Sequence, residues 1–295
     1  MFYIDTEKLR LELEVVSIES LFIHERILPH IVDELTIAFK NLANLENPVI
    51  VDRNGIVLDG NHRVYVFRKL GFKTIPVCRI DYFHKNMQLR YWFRLLSNIR
   101  DVTLIKRVVE ELGGLIQEEA DRVTLQRRLE ENCYCCGIQH ADFFASVHFS
   151  EDKVHDAVSA YDMLEKIQDR LSEMGLEFDY IPCQHVHREE FCELLKDHEI
   201  VIWTPQISKE MVVEAAKQEK VFAPKSTRHL IPARPLNVNV PTRWLREKIS
   251  LEEINNRFCR FLEGKEIKRL SPGQVIDGRF YEEELFVFYD KNRLS

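Results

Sequence analysis

A chain of 295 residues, 45% hydrophobic and 10% aromatic, has material for two domains or one large one with real cores. Its 41 basic and 48 acidic residues leave a formal charge of −7, which argues against gripping a long phosphate backbone but allows a local basic pocket for a small phosphorylated ligand. The first residues carry charges throughout, with no signal-like apolar core, and no apolar run approaches the roughly 18 residues of a membrane helix, so a cytoplasmic protein is expected. Seven cysteines, an odd number and mostly scattered singly, point to reduced thiols rather than a disulfide framework.

In chain order, residues 13–18 predict a short strand, and residues 30–45 have helical spacing with Ile31, Leu35, Ala38, Phe39 and Leu42 on one face. Residues 48–52 and 56–60 predict two strands joined by Arg53-Asn54-Gly55, because Asn-Gly supplies the positive φ that tight hairpins demand. A helix over 61–70, stopped by Gly71, and a strand over 75–82 follow. Helices are expected over 87–96, 104–112 and 118–131, a helical junction between domains. The second half predicts strands over 141–149, 177–182, 200–204, 236–240 and 285–289, with helices over 154–174, 188–196, 209–218 and 251–262. Expected overall is an α+β chain.

Four groups of residues carry candidate chemistry. Asp59 ends a strand, Gly60 permits a sharp turn, and Asn61-His62-Arg63 open a helix whose N-terminal amides attract phosphate. Arg63 adds a fork for phosphate oxygens, and Asp59 could hold a divalent cation or orient a reacting group. The plainer reading is an ordinary turn with Asp59 as cap and Arg63 solvated. His24-Glu25 reads as a cap and a surface charge, or as the site of a general base. Pro224-Lys225-Ser226-Thr227-Arg228-His229, followed by Arg234, is a solvated basic loop or a dense set of anion donors. Cys133-Tyr134-Cys135-Cys136, near His140, suggests zinc or redox chemistry only weakly: the spacing is not C-x-x-C, and only Cys183 and His185-Val186-His187 follow.

The run from Pro48 through Asp59-Gly60-Asn61-His62-Arg63-Val64, continued by Lys69-Leu70-Gly71-Phe72-Lys73-Thr74-Ile75-Pro76-Val77, closely resembles the core of the ParB/sulfiredoxin superfamily. Asn61 stands where sulfiredoxins carry their catalytic cysteine, which removes that chemistry. An acidic chain with a strand-containing second half departs from ParB partition proteins, with their helix-turn-helix. The free serine kinases of this superfamily are similar in three places: His24-Glu25, the Asp59–Arg63 turn, and Thr227-Arg228-His229 with Arg234 and Leu236-Asn237-Val238.

That resemblance implies phosphoryl transfer from ATP or ADP to the hydroxyl of free L-serine, giving O-phospho-L-serine. It implies Glu25 as general base, with Asp59 and His62 also catalytic. Phosphate or nucleotide contacts would come from Gly60, Asn61, His62, Arg63, Thr227, Arg228 and His229. His24 and Arg234 would meet the substrate, and Asp59 would hold Mg2+. The implied organisation is a ParB/sulfiredoxin-like domain over 1–86, a helical junction over 87–136 and an α/β domain over 137–295, with a cleft between domains. A ParB-like nucleotide-binding regulator or DNA-binding protein is the alternative; nucleic acid and membrane partners are not expected.

Overall fold

The computed structural model describes residues 1–97, 99, 101–182 and 199–291. Its contacts form two compact units, one of residues 1–88 with 229–295, the other of residues 89–228. About two fifths of the first unit thus comes from the far end of the chain, whereas the expected bounds were 86 and 136.

The first unit is built on a five-stranded sheet in which β1 (Phe2–Asp5), β2 (Arg10–Ser17), β4 (Val49–Val51), β5 (Val57–Asp59) and β6 (Thr74–Arg79) lie in the order β1-β2-β6-β4-β5. All pairs are antiparallel except β4 with β6, and the connection between those two carries α2 (Asn61–Lys69). The β4 residues Val49, Ile50 and Val51 are all buried, as a continuous apolar run covered on both faces should be. The Asn54-Gly55 turn forms as expected, with Gly55 at φ 85° and the Asp52 amide donating to the Ile56 carbonyl at 2.9 Å. Helix α1 (Pro29–Lys40) opens on proline, whose missing N–H costs nothing in the first turn.

The returning segment adds β14 (Arg228–Leu230), β15 (Ala233–Leu236), β16 (Val240–Pro241), β17 (Lys265–Leu270), β18 (Gln274–Ile276), β19 (Arg279–Tyr281) and β20 (Glu284–Asp290). Strand β20 lies between β15, to which it is parallel, and β17, to which it is antiparallel. Strand β16 pairs with β3 (Asn44–Leu45). A helix at Leu251–Glu263 is tied to the middle of β2 by Asn255, whose side chain accepts from the Val15 amide at 2.8 Å and donates to its carbonyl at 2.7 Å. Those two bonds, with the pairing of β16 and β3, join the C-terminal segment to the N-terminal unit.

The second unit is a six-stranded antiparallel sheet. Strands β8 (Trp92–Ser97), β9 (Leu115–Glu119), β10 (Cys136–His140), β11 (Phe143–His148), β12 (Phe178–Pro182) and β13 (Glu199–Trp203) take the order β12-β8-β13-β10-β11-β9. One core gathers Leu96, Ile138, Ile202, Tyr161, Leu164 and Phe222, and another Phe93, Leu125, Leu129 and Trp203. The long helix Ala157–Glu173 starts with a capping box between Asp156 and Ser159. Among the described residues, no helix is long and apolar enough to cross a membrane.

Three expected elements differ. Residues 87–96 form not a helix but β7 (Gln88–Arg90) and β8, because β8 fills the gap between β12 and β13. The expected helix over 118–131 is shorter: β9 runs to Glu119, and the helix Arg122–Glu131 starts where Asp121 accepts from the Thr124 amide. The alternation over 236–240 is not one strand, because Asn237 and Asn239 both adopt φ of 56°, a left-handed conformation asparagine tolerates. The expected helix over 188–196, together with Cys183, Cys192 and His185-Val186-His187, lies outside the described residues.

Candidate active site

The turn after β5 organises the site. Gly60 caps α2 with φ 108° and ψ 25°, and its carbonyl accepts from the Val64 amide at 3.0 Å. A side chain at position 60 would be strained in that conformation, and its Cβ would lie 2.9 Å from the Arg63 guanidinium. With glycine at the cap, the first turn of α2 receives no side-chain capping hydrogen bond, and a helix terminus of this kind attracts anions.

Asn61 and His62 turn toward the segment holding the predicted base. The Asn61 Oδ1 accepts from the His24 amide at 3.2 Å, and the His62 Nε2 accepts from the Leu28 amide at 3.1 Å. His62 thus carries its proton on Nδ1 when neutral. His24 is almost fully buried, and that burial lowers its pKa, opposed by the Glu25 carboxylate. His229 arrives from the returning segment: its ring packs edge-on against His24 with centroids 5.2 Å apart, and its Nε2 lies 2.9 Å from the Tyr82 hydroxyl. Glu25 itself is half-buried. Four predicted residues, His24, Glu25, His62 and His229, therefore gather around one end of α2.

Asp59 and Arg63 face differently. Arg63 donates to the Asn47 carbonyl at 2.7 Å and to Asp59 Oδ2 at 3.3 Å, so it staples the turn to the entry of β4. Arg234, on β15, donates to the same Asp59 oxygen at 2.5 Å and through Nε to Glu283 at 2.6 Å. Burial opposes the Asp59 charge, but Arg234 and then Arg63 override it, holding the carboxyl well below the usual carboxylate range. Glu283 was missed by sequence reasoning; an acidic run at Glu282-Glu283-Glu284 gives no signal of which side chain turns inward.

As a resident magnesium ligand Asp59 fits poorly. One of its oxygens already serves two guanidiniums, and a third arginine, Arg279, also lowers its pKa through space. Among the described residues, no group of three or more His, Cys, Asp or Glu side chains is arranged to hold a metal ion. Cys135 and Cys136 are buried thiols, pushed up to about 11 and about 12 chiefly by that burial, and Cys135 Sγ lies 2.9 Å from His148 Nδ1.

In the second unit, the loop before Thr227 and Arg228 is held from several directions. Arg94, nearly fully buried, donates to the Lys225 carbonyl at 3.0 Å, and Tyr161 donates to the Ser226 carbonyl at 3.1 Å. The Trp92 indole donates to the Thr227 carbonyl at 3.2 Å, while Lys225 and Arg228 sit over the Trp92 ring. The basic loop is thus a locked structure, not a solvated one.

No family model matches the chain. An ATP-dependent L-serine kinase of Staphylothermus marinus is 25% identical over 239 residues, 77% of this chain and 88% of that protein. An ADP-dependent L-serine kinase of Thermococcus kodakarensis is 26% identical over 186 residues, 63% of this chain and 71% of that protein. A solved free serine kinase in complex with AMP superposes with a TM-score of 0.63 at 19% identity, covering 82% of this chain and 96% of that one. By sequence the chain is thus similar to L-serine kinases, and it shares its fold with a solved free serine kinase.

Proposed function

We propose that the protein is a nucleotide-dependent kinase that transfers a phosphoryl group to the hydroxyl of free L-serine, giving O-phospho-L-serine. The observation that carries this reading is the gathering of His24, Glu25, His62 and His229 at the uncapped N-terminus of α2. Phosphoryl transfer needs positioning and charge neutralisation more than covalent help. Glu25, half-buried beside that terminus, takes the hydroxyl proton as general base. The amides at the start of α2 receive the transferred phosphate, and His62 donates from Nδ1.

Arg63 and Arg234 have another role in this reading. Their guanidiniums are engaged with Asp59, so they shape the turn instead of gripping phosphate or substrate. Asp59 positions the turn, and no step is routed through a metal held by it. Magnesium would supply charge neutralisation on the nucleotide phosphates. The donor is ATP or ADP, since the kinases it resembles carry both descriptions.

The ParB-like regulator reading is weaker, because the second unit is a six-stranded antiparallel sheet and not a helical DNA-binding domain. The test is incubation of the purified protein with ATP or with ADP across a panel of free hydroxyl amino acids, with mass spectrometry of the products. O-phosphoserine with either donor is expected. Absence of any phosphorylated amino acid with both donors would refute the reading.

A further inference from the structure

A second cavity, of about 370 Å³, opens within the first unit, and none of His24, Glu25, Asn61 or His62 lines it. Its apolar lining comes from Phe39, Leu42, Leu45 and Leu236. Two charged side chains of opposite sign, Glu46 and Arg279, line the same space.

The charges around this cavity are unevenly matched. Asp59, Arg63 and Arg234 also line it, but the two guanidiniums are committed to Asp59 and Glu283, and the Asp59 carboxylate to them. Arg279 is different. It begins β19, after an Asp277-Gly278 turn with both residues at positive φ, and its guanidinium lies 4.7 Å from the Tyr281 ring centre. Among the described residues it makes no direct ion pair, and it acts on the Asp59 carboxylate only through space. Glu46, just after β3, is held in place through its backbone, whose carbonyl accepts from the Asn239 amide at 3.0 Å. Its carboxylate likewise has no ionic partner among the described residues, and the two side chains do not pair with each other.

A guanidinium and a carboxylate without direct ion pairs, on one cavity with apolar lining, describe a specific kind of ligand. It carries its own carboxylate for Arg279, its own ammonium for Glu46, and an apolar body for the leucines and Phe39. The volume lies within the lower range of small-molecule sites. We infer that this cavity binds a free α-amino acid with an aliphatic side chain, its carboxylate on Arg279 and its ammonium on Glu46. A single-charged acid or amine satisfies only one of the two groups. The inference does not rest on the kinase reading, because no residue proposed as base or phosphate donor takes part.

The test is calorimetric titration of the full chain, without nucleotide, using L-leucine, 4-methylpentanoate and isopentylamine. Saturable binding of leucine is expected. Arg279→Gln and Glu46→Gln should each weaken it by about tenfold or more, the usual scale of one charge-assisted contact. Each singly charged analogue should be weaker by a similar factor. Both rim side chains are exposed, so their substitution leaves the core intact. Leucine binding should survive in Glu25→Gln. Absence of leucine binding, binding unchanged in both rim variants, or loss of binding in Glu25→Gln would each overturn the inference.

Discussion

The Arg234 guanidinium donates to the Asp59 carboxylate at 2.5 Å across 175 residues of sequence, joining β15 to the end of β5. The same side chain binds Glu283 through Nε, so one arginine fixes two carboxylates from different segments. Removing it strands Glu283 and leaves Asp59 with Arg63 as its remaining ion-pair partner. Arg234→Ala should cost about 2–4 kcal/mol, below the full scale of a broken buried pair because Asp59 is about a third exposed. Arg234→Lys should recover less than half of that, since one ammonium lacks the planar fork that reaches both partners. Urea unfolding of the two variants measures this.

The Asp59 charge makes stability depend on pH in a defined direction. Its folded-state pKa is depressed, with burial opposing ionisation and the guanidiniums of Arg234 and Arg63 overriding it. The unfolded chain therefore binds this proton more readily, and the stabilisation is fully present above the unfolded value of about 3.9. It is lost as pH falls below that value toward the folded pKa. The stability difference between wild type and Asp59→Asn should be constant from pH 5 to 7 and shrink on acidification below about pH 4. Urea midpoints across that range check it; a difference that grows on acidification would contradict the assignment.

The parts of this arrangement that lie close in sequence were legible, and the long-range parts were not. The Asn54-Gly55 hairpin, the Gly60 turn and α2 follow from local backbone chemistry, and they form where the residues predict. His24-Glu25 could be marked as a candidate, but only the Asn61 and His62 side chains reaching back to residues 24 and 28 place it beside α2. Arg63 was marked by a residue type that fits a phosphate fork, whereas its acceptors in the fold, the Asn47 carbonyl and Asp59, are set by where the chain enters β4 and leave no mark in the local sequence. Strand β8 was misjudged as helix because its aromatic and leucine residues fit either period; its sheet partners, more than 80 residues away, decide the matter.

Gly60 is a point where backbone conformation and chemistry meet. At φ 108° an alanine is strained, and its Cβ would press on the Arg63 guanidinium at 2.9 Å. Gly60→Ala should cost about 1–3 kcal/mol in stability. It should also lower turnover more than it changes the serine KM, because the displaced first turn of α2 is the proposed phosphate seat. Unfolding curves and steady-state kinetics on the same preparation separate the two effects.

Glu25 and His62 lie near the same helix end but should fail differently. Glu25→Gln keeps the size and hydrogen-bonding reach of the side chain and removes only its basicity. Turnover should fall by about 10²–10⁴, the usual range for a general base, with nucleotide affinity little changed. His62→Ala removes a proposed phosphate donor and also the acceptor for the Leu28 amide, so both nucleotide affinity and turnover should drop. A Glu25→Gln enzyme with near-normal turnover would remove Glu25 from the mechanism. A His62→Ala enzyme with unchanged nucleotide affinity and rate would show that His62 only braces the 24–28 segment. Single-turnover phosphorylation of serine with each donor nucleotide, alongside equilibrium nucleotide binding, distinguishes these outcomes, because a lost base slows the chemical step while leaving the bound complex intact.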